Sequence, residues 1–208
     1  MPADARVLIA TRSAGKLREF HGLLADAGLT GITLDEAGIA YSPEEEEIEC
    51  LDTFEENALA KARYFNGLSG MPVIADDSGL SVVALGGAPG IWSKRYSGRD
   101  DLSGQALDDA NNARLQAELR GFRDTTASYM CAAAYVKGHE EVVAIGQTFG
   151  KIIAEARGDH GFGYDPYFYS TELSKTFGEA GIEEKAVVSH RGRAFRGLVA
   201  ALRVRRGG

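Results

Sequence analysis

RVLIATRSAGKLREFHGLLADA, residues 6–27, changes its hydrophobic period once. RVLIAT is a short apolar run suited to a strand, whereas from residue 16 the apolar positions Leu17, Phe20, Leu24 and Ala27 recur at helical spacing. Strand, small polar loop and helix in that order open an α/β fold. The alternation continues downstream. The spacing predicts a helix over 53–65, with Phe54, Ala58, Ala62 and Phe65 on one face and Asn57, Lys61 and Tyr64 on another. Asp52 and Glu55 have the form of its N-terminal capping box. Residues 72–75 (PVIA) read as a buried strand ending at Asp76-Asp77-Ser78-Gly79, followed by extended chain to 85, a glycine-rich turn over 86–90 and a loop over 93–104. A helix over 103–120 has Leu107, Ala110, Leu115 and Leu119 as its apolar residues. Two β-rich runs, 126–136 and 140–153, flank Lys137-Gly138-His139 as a hairpin. A loop over 157–165, a short strand over 166–169 and a basic amphipathic helix over 190–205 with Leu198 and Leu202 inward complete the pattern. The expectation is one α/β domain over 1–208: a mixed, strongly twisted β-sheet flanked by helices, with two lobes around a central cleft.

Composition narrows the function classes. The 208 residues fall below the length at which chains usually split into several domains. Thirty acids against 23 bases leave a net charge of −7, the wrong sign for a general nucleic-acid surface, which needs a basic footprint. The two cysteines, Cys50 and Cys131, lie far apart and outside any metal-binding spacing, and both are expected to be buried apolar positions. The start, Met1-Pro2-Ala3-Asp4, shows no leader pattern, and no apolar stretch approaches a membrane span, so a cytoplasmic protein is expected. The 26 glycines are an excess, and many fall in 79–104 and 158–163.

Four polar groups sit at element ends, where a scaffold can aim them. Thr11, Arg12, Ser13, Ala14, Gly15 and Lys16 join strand to helix, and free N–H groups there plus an ammonium suit a phosphate. This is not a P-loop, because Ala10 and Leu17 stand where its first glycine and its magnesium-binding hydroxyl would be. Asp76 and Asp77 are adjacent carboxylates, costly unless neutralised and suited to Mg²⁺; alternation lets only one face a ligand directly. Gly161-Phe162-Gly163-Tyr164-Asp165-Pro166 offers close backbone approach, a ring from Phe162 or Tyr164 for stacking, and an acceptor in Asp165. Lys185 and Ser189-His190-Arg191 place cations at a helix start, against the dipole, which favours a bound anion. The run 44–49 reads as a solvated acidic face from which one glutamate can serve a metal.

In this order the motifs resemble the inosine triphosphate pyrophosphatase family. The matching stretches are ATRSAGK (10–16), TFEENALAKA (53–62), ADDSGLSVVALGGAPGIWSKRYSG (75–98), GFGYDP (161–166) and EEKAVVSHRGRA (183–194), so the resemblance spans nearly the whole chain. It implies Mg²⁺-dependent hydrolysis of ITP, dITP and XTP to the monophosphate and pyrophosphate. Thr11 through Lys16 and Lys61 would contact the triphosphate, Asp77 would bind metal and accept a proton with Asp76 beside it, and Ser78 would touch substrate. Phe162 would stack on the purine within a pocket shaped by Gly163, Tyr164 and Asp165, while Lys185, His190 and Arg191 would close on the base. Glu49 is the implied second metal ligand; because Cys50-Leu51-Asp52 replaces the usual glycine, that role can shift to Glu47 or Glu46. Ser13 replaces the usual asparagine, and Trp92 and Lys94 occupy a loop that usually holds smaller or less charged residues. The resemblance also implies a homodimer. The rival readings are a pyrimidine or modified-nucleotide pyrophosphatase, as in the structurally related Maf-like family, and a non-catalytic nucleotide sensor. Nucleic-acid binding by the arginines at 193–206 is a further reading, disfavoured because surface arginines on a terminal helix are commonly solvated.

Overall fold

The computed structural model describes residues 5–207. Residues 1–4, part of the start on which the cytoplasmic expectation rests, lie outside the described residues. Among the described residues seven strands and six α-helices follow one another as β1 (Ala5–Ile9), α1 (Ala14–Asp26), β2 (Leu29–Ile32), α2 (Glu45–Ile48), α3 (Phe54–Ser69), β3 (Val73–Val82), α4 (Gly104–Glu118), β4 (Thr126–Lys137), β5 (Glu140–Ile152), β6 (Phe168–Ser170), β7 (Lys175–Thr176), α5 (Ile182–Val188) and α6 (His190–Gly207), with 3-10 turns at Val83–Leu85 and Gly90–Arg95 between β3 and α4. The strands form one sheet in the order β2-β1-β3-β4-β5-β6-β7. It is mixed, as expected: β1 runs parallel to β2 and β3, while β5–β6 and β6–β7 are antiparallel. Among the described residues no helix is long and apolar enough to cross a membrane.

The chain divides into two compact units, the first taking residues 5–77, 131–146 and 191–207 of those described. Its centre is β1, whose Val7, Leu8 and Ile9 are buried together with the following Ala10, which is why RVLIAT reads as a continuous apolar run rather than an alternation. Phe20 of α1 meets Phe195 of α6 edge to face at 6.2 Å, and Leu198 and Leu202 face inward as expected. Burying each such side chain contributes roughly 1.5–3 kcal/mol. β2 was not anticipated. It is only four residues long and contains Gly31, where a Cβ would lie 2.6 Å from Ile9 Cδ1 and 2.7 Å from Leu24 Cδ1, so close packing in the first unit explains a glycine that weakens the strand signal.

Helix α3 starts one residue later than the Asp52 pattern suggests. Thr53 is the N-cap: Glu56 N–H donates to Thr53 Oγ1 at 3.1 Å and the Thr53 hydroxyl donates to Glu56 Oε2 at 2.9 Å, a reciprocal capping box. Gly70, at φ +63°, ends the helix. Phe54, Ala58, Ala62 and Phe65 are buried as expected, but so are Asn57 and Lys61.

The second unit takes residues 78–130 and 147–190. Its core joins Leu80 and Val82 of β3 to Leu115, Leu119, Tyr129, Ile152, Phe168 and Phe177. The rings of Tyr129 and Phe168 lie 4.7 Å apart, and those of Phe168 and Phe177 5.0 Å apart. Asn111 and Asn112 are buried beside Leu115 on α4, a polar share of the buried face that an apolar-period reading does not reveal. β7 and α5 were also unanticipated, being two and seven residues long. Lys185 consequently belongs to α5, one element ahead of the helix that begins at His190.

Two further expectations are corrected. β3 does not stop at Asp76 but continues through Asp77, Ser78 and Gly79 to Val82, so the acidic pair sits in mid-strand. Cys50 is exposed, in the segment that follows α2, whereas Cys131 is buried.

Candidate active site

In the first unit the loop after β1 folds on itself. Ser13 N–H donates to Thr11 Oγ1 at 3.2 Å, and Ser13 caps α1 by accepting from Lys16 N–H at 3.3 Å. Ala14 is exposed and Gly15 buried within this turn. The cap aims Lys16, whose Nζ lies 3.2 Å from Asp76 Oδ1. Arg12 turns elsewhere. Its guanidinium donates to Glu45 Oε1 at 2.8 Å, Glu45 Oε2 at 3.1 Å, Asp35 Oδ1 at 3.3 Å and the Ile39 carbonyl at 3.1 Å, tying the acidic segment to the loop.

Strand alternation places the two aspartates differently. Asp76 is fully buried, and Arg191 Nε donates to its Oδ2 at 3.0 Å. Arg191 also bonds Glu19 of α1 and is itself buried. Burial alone would raise the Asp76 pKa, but Lys16, Arg191 and Lys61 outweigh it and hold the carboxyl well below its usual range. Both Asp76 oxygens therefore face cations of the protein. The Cys131 thiol, 3.8 Å from Asp76 Oδ2, is pushed up by burial and then by the Asp76 charge, so it is no thiolate nucleophile.

Asp77 is the less enclosed member of the pair. Asn57 Nδ2 donates to its Oδ2 at 2.9 Å, while Asn57 Oδ1 accepts from Leu51 N–H at 2.9 Å, so one buried amide joins the segment after Glu49 to the aspartate. Burial raises the Asp77 pKa; Lys16 and Lys61 oppose it, and the Glu49 carboxylate raises it further. Lys61, whose side chain is largely buried, bonds Glu49 directly. Burial lowers its pKa, but Glu49, Asp76 and Asp77 together raise it above the ordinary lysine value. Glu46 and Glu47 are exposed, and Glu46 accepts from the Tyr41 hydroxyl at 2.6 Å. Glu49 is thus the glutamate of the acidic run that reaches this group.

The donor set suits a hard cation. Among the described residues, no group of three or more His, Cys, Asp or Glu side chains has metal-holding geometry. What the first unit offers is two carboxylates, Glu49 and Asp77, that interact unfavourably with each other; Lys16 and Lys61 relieve Asp77, and Lys61 pairs with Glu49. One or two carboxylates completed by water and phosphate is the usual protein share of a Mg²⁺ site.

The second unit holds the GFGYDP turn. Asp165 is buried; its Oδ2 accepts from Phe162 N–H at 2.9 Å and from Lys185 Nζ at 2.5 Å. Gly161 needs to be glycine, since a Cβ there would meet Asp165 Oδ2 at 2.1 Å. The Lys185 ammonium lies 5.3 Å from the Phe162 ring centroid and 5.2 Å from that of Phe177. Tyr164 is buried and donates its hydroxyl to the Ser93 carbonyl at 2.8 Å, which leaves the half-buried Phe162 as the more accessible ring of the turn. His190 is buried with its ring stacked on Tyr129 at 4.5 Å and 8°. Ser78, next along β3, is half-buried. Gly163 is held by α4: Asp108 Oδ2 accepts from its N–H at 2.8 Å, and Asn112 Nδ2 donates to its carbonyl at 2.9 Å.

Sequence reasoning did not select Glu19, Asn57, Asp108 or Asn112. Asn57 precedes Lys61 by one turn of the helix expected over 53–65, and that shared face is the signal that could have found it. Glu19 carries no local signal, because its partner Arg191 lies far along the chain.

A family model described as Ham1 family matches residues 7–201. A relative named dITP/XTP pyrophosphatase from Ralstonia nicotianae is 46% identical over 202 residues, covering 96% of this chain and 97% of the relative. A solved Ham1 protein from Staphylococcus aureus aligns with a TM-score of 0.79 at 35% identity, over 96% of this chain and 99% of that one. A HAM1 protein from Coxiella burnetii gives 0.80 at 33% identity, with the same coverage.

Proposed function

The chain belongs to the Ham1 family, and on that basis we propose that it is a nucleoside-triphosphate pyrophosphatase that hydrolyses ITP, dITP and XTP to the monophosphate and pyrophosphate. The observation that carries the reading is the first-unit group of Asp77, Glu49, Lys16 and Lys61: two carboxylates beside two lysines. In this reading Asp77 orients a water and accepts its proton as the oxygen attacks the α-phosphorus, and pyrophosphate departs. Lys16 and Lys61 bind phosphate oxygens, with Thr11, Ser13 and the N–H groups at Ala14 and Gly15 shaping the turn that meets them. Glu49 and Asp77 would hold Mg²⁺, which when bound supplies charge neutralisation to the phosphates. Asp76 serves better as the fixed counter-charge of Lys16 and Arg191 than as a metal ligand, because those cations already face both its oxygens. Arg12 serves by anchoring the acidic segment.

The purine falls to Phe162, Gly163, Asp165, Lys185 and His190, a role supported by the resemblance and by the buried Lys185–Asp165 pair beneath the Phe162 ring. Lys185 presents donors suited to a 6-oxo group; the amino group of adenine would leave them unpaired, a mismatch that discriminates strongly. A single domain is also proposed from the length of 208 residues, and a homodimer from the family resemblance; a cytoplasmic location fits an enzyme acting on free nucleotides. Pyrophosphate release from ITP, XTP, GTP and ATP at equal concentration tests the reading: ITP and XTP turn over fastest, and equal rates on all four, or preference for a methylated pyrimidine triphosphate, contradict it.

A further inference from the structure

We propose that Asp108 and Asn112 of α4 are positioning residues that set the Phe162 ring by gripping the backbone of Gly163. The inference deepens the function proposed above and rests on its assignment of Phe162 to the purine. The two residues are one helical turn apart and share a face of α4. Gly163 N–H belongs to the peptide that joins Phe162 to Gly163, so the Asp108 bond at 2.8 Å fixes the plane of that peptide. Asn112 fixes the next one through the Gly163 carbonyl at 2.9 Å. The same Asn112 Nδ2 donates to the Asp108 carbonyl at 2.9 Å, and two carbonyl partners settle which amide atom is nitrogen.

The peptide before Phe162 is held independently, by Asp165 on Phe162 N–H. Phe162 is therefore pinned on both sides by buried or half-buried carboxylates, while its own ring stays half-buried. Gly163 sits at φ +63°, and because it has no Cβ its flanking peptide planes can reorient unless something holds them. Buried polar groups on a helix face that would otherwise be apolar cost stability unless they are bonded. Asp108 Oδ2 and Asn112 Nδ2 both bond this one glycine.

The test is a double-mutant cycle on ITP hydrolysis with kcat and KM measured separately. Phe162→Ala is expected to raise KM about tenfold or more, the scale of a lost base–aromatic stack. Asp108→Ala is expected to raise KM about tenfold with kcat within about twofold, the scale of losing a hydrogen bond to a charged group. Asp108→Asn keeps an acceptor oxygen and should recover most of the loss. The double variant Asp108→Ala/Phe162→Ala should be no worse than Phe162→Ala alone. Unchanged KM in Phe162→Ala removes the underlying assignment and the proposal with it. A normal Phe162→Ala effect with unchanged KM in Asp108→Ala, or losses that multiply in the double variant, overturns the clamp alone. If Asp108→Ala does not fold, Asp108→Ser, too short to reach Gly163, takes its place in the cycle.

Discussion

Asp76 and Asp77 are consecutive residues of β3, yet their carboxyl groups are driven in opposite directions, Asp76 well below and Asp77 above the ordinary aspartate pKa. Burial pushes both up. Lys16 and Lys61 pull both down; the difference is that Asp76 also meets Arg191, whereas Asp77 has Glu49 as a like-charged neighbour. Divergent environments for paired titratable groups are how a site assigns separate tasks to identical side chains.

Replacing Asp76 by Asn should destabilise the fold by about 3–5 kcal/mol, because it strips buried Arg191 of a counter-charge. The pH dependence follows from the sign of the shift. A carboxyl with a depressed folded pKa contributes stability that is present above its unfolded value, 3.8, and is lost as pH falls toward the folded value. Chemical denaturation at pH 7 and at pH 3 should show the gap between wild type and Asp76→Asn narrowing at the lower pH; a constant gap contradicts the assignment.

Lys185→Met leaves the Asp165 carboxylate buried without its cation and should lower stability by about 3–5 kcal/mol. Thermal unfolding reads this directly. Equal melting temperatures for the variant and wild type would show that the pair does not hold the GFGYDP turn.

Arg12→Ala removes an exposed ion pair to Asp35, worth about 0–1 kcal/mol, and a bidentate pair to Glu45, whose side chain is largely buried. The melting temperature should fall only modestly. The Mg²⁺ concentration for half-maximal activity should rise instead, since the segment that carries Glu49 loses its anchor. An unchanged metal requirement would show that Arg12 does not serve Glu49.

The layered α/β plan was legible because β1 is buried over Val7, Leu8 and Ile9 and α1 on one face only, and those two situations write different periods into residues 6–27. Short elements escaped: β2, β7 and α5 contain too few residues to show a period, and Gly31 is set by packing rather than propensity. Asp76 and Asp77 stood out as chemistry but were read as a strand end, since two acids in mid-strand make sense only once Lys16, Arg191 and Asn57 are known to meet them. Arg191 and Glu19 illustrate the remainder. Their pairing spans most of the chain and is a product of tertiary folding alone.

In the proposed mechanism the release of pyrophosphate depends on Asp77 above every other residue. Turnover of ITP by wild type and Asp77→Asn, with and without Mg²⁺, following monophosphate and pyrophosphate together, puts that dependence to the test. Because a raised folded pKa means the Asp77 carboxylate costs stability above that pKa, the Asn variant should melt no lower than wild type at pH 7. Wild type with Mg²⁺ should release monophosphate and pyrophosphate in equal amounts, and the folded variant should lose at least about a thousandfold in kcat. Wild-type turnover without metal, or a folded Asp77→Asn variant that retains activity, would contradict the mechanism.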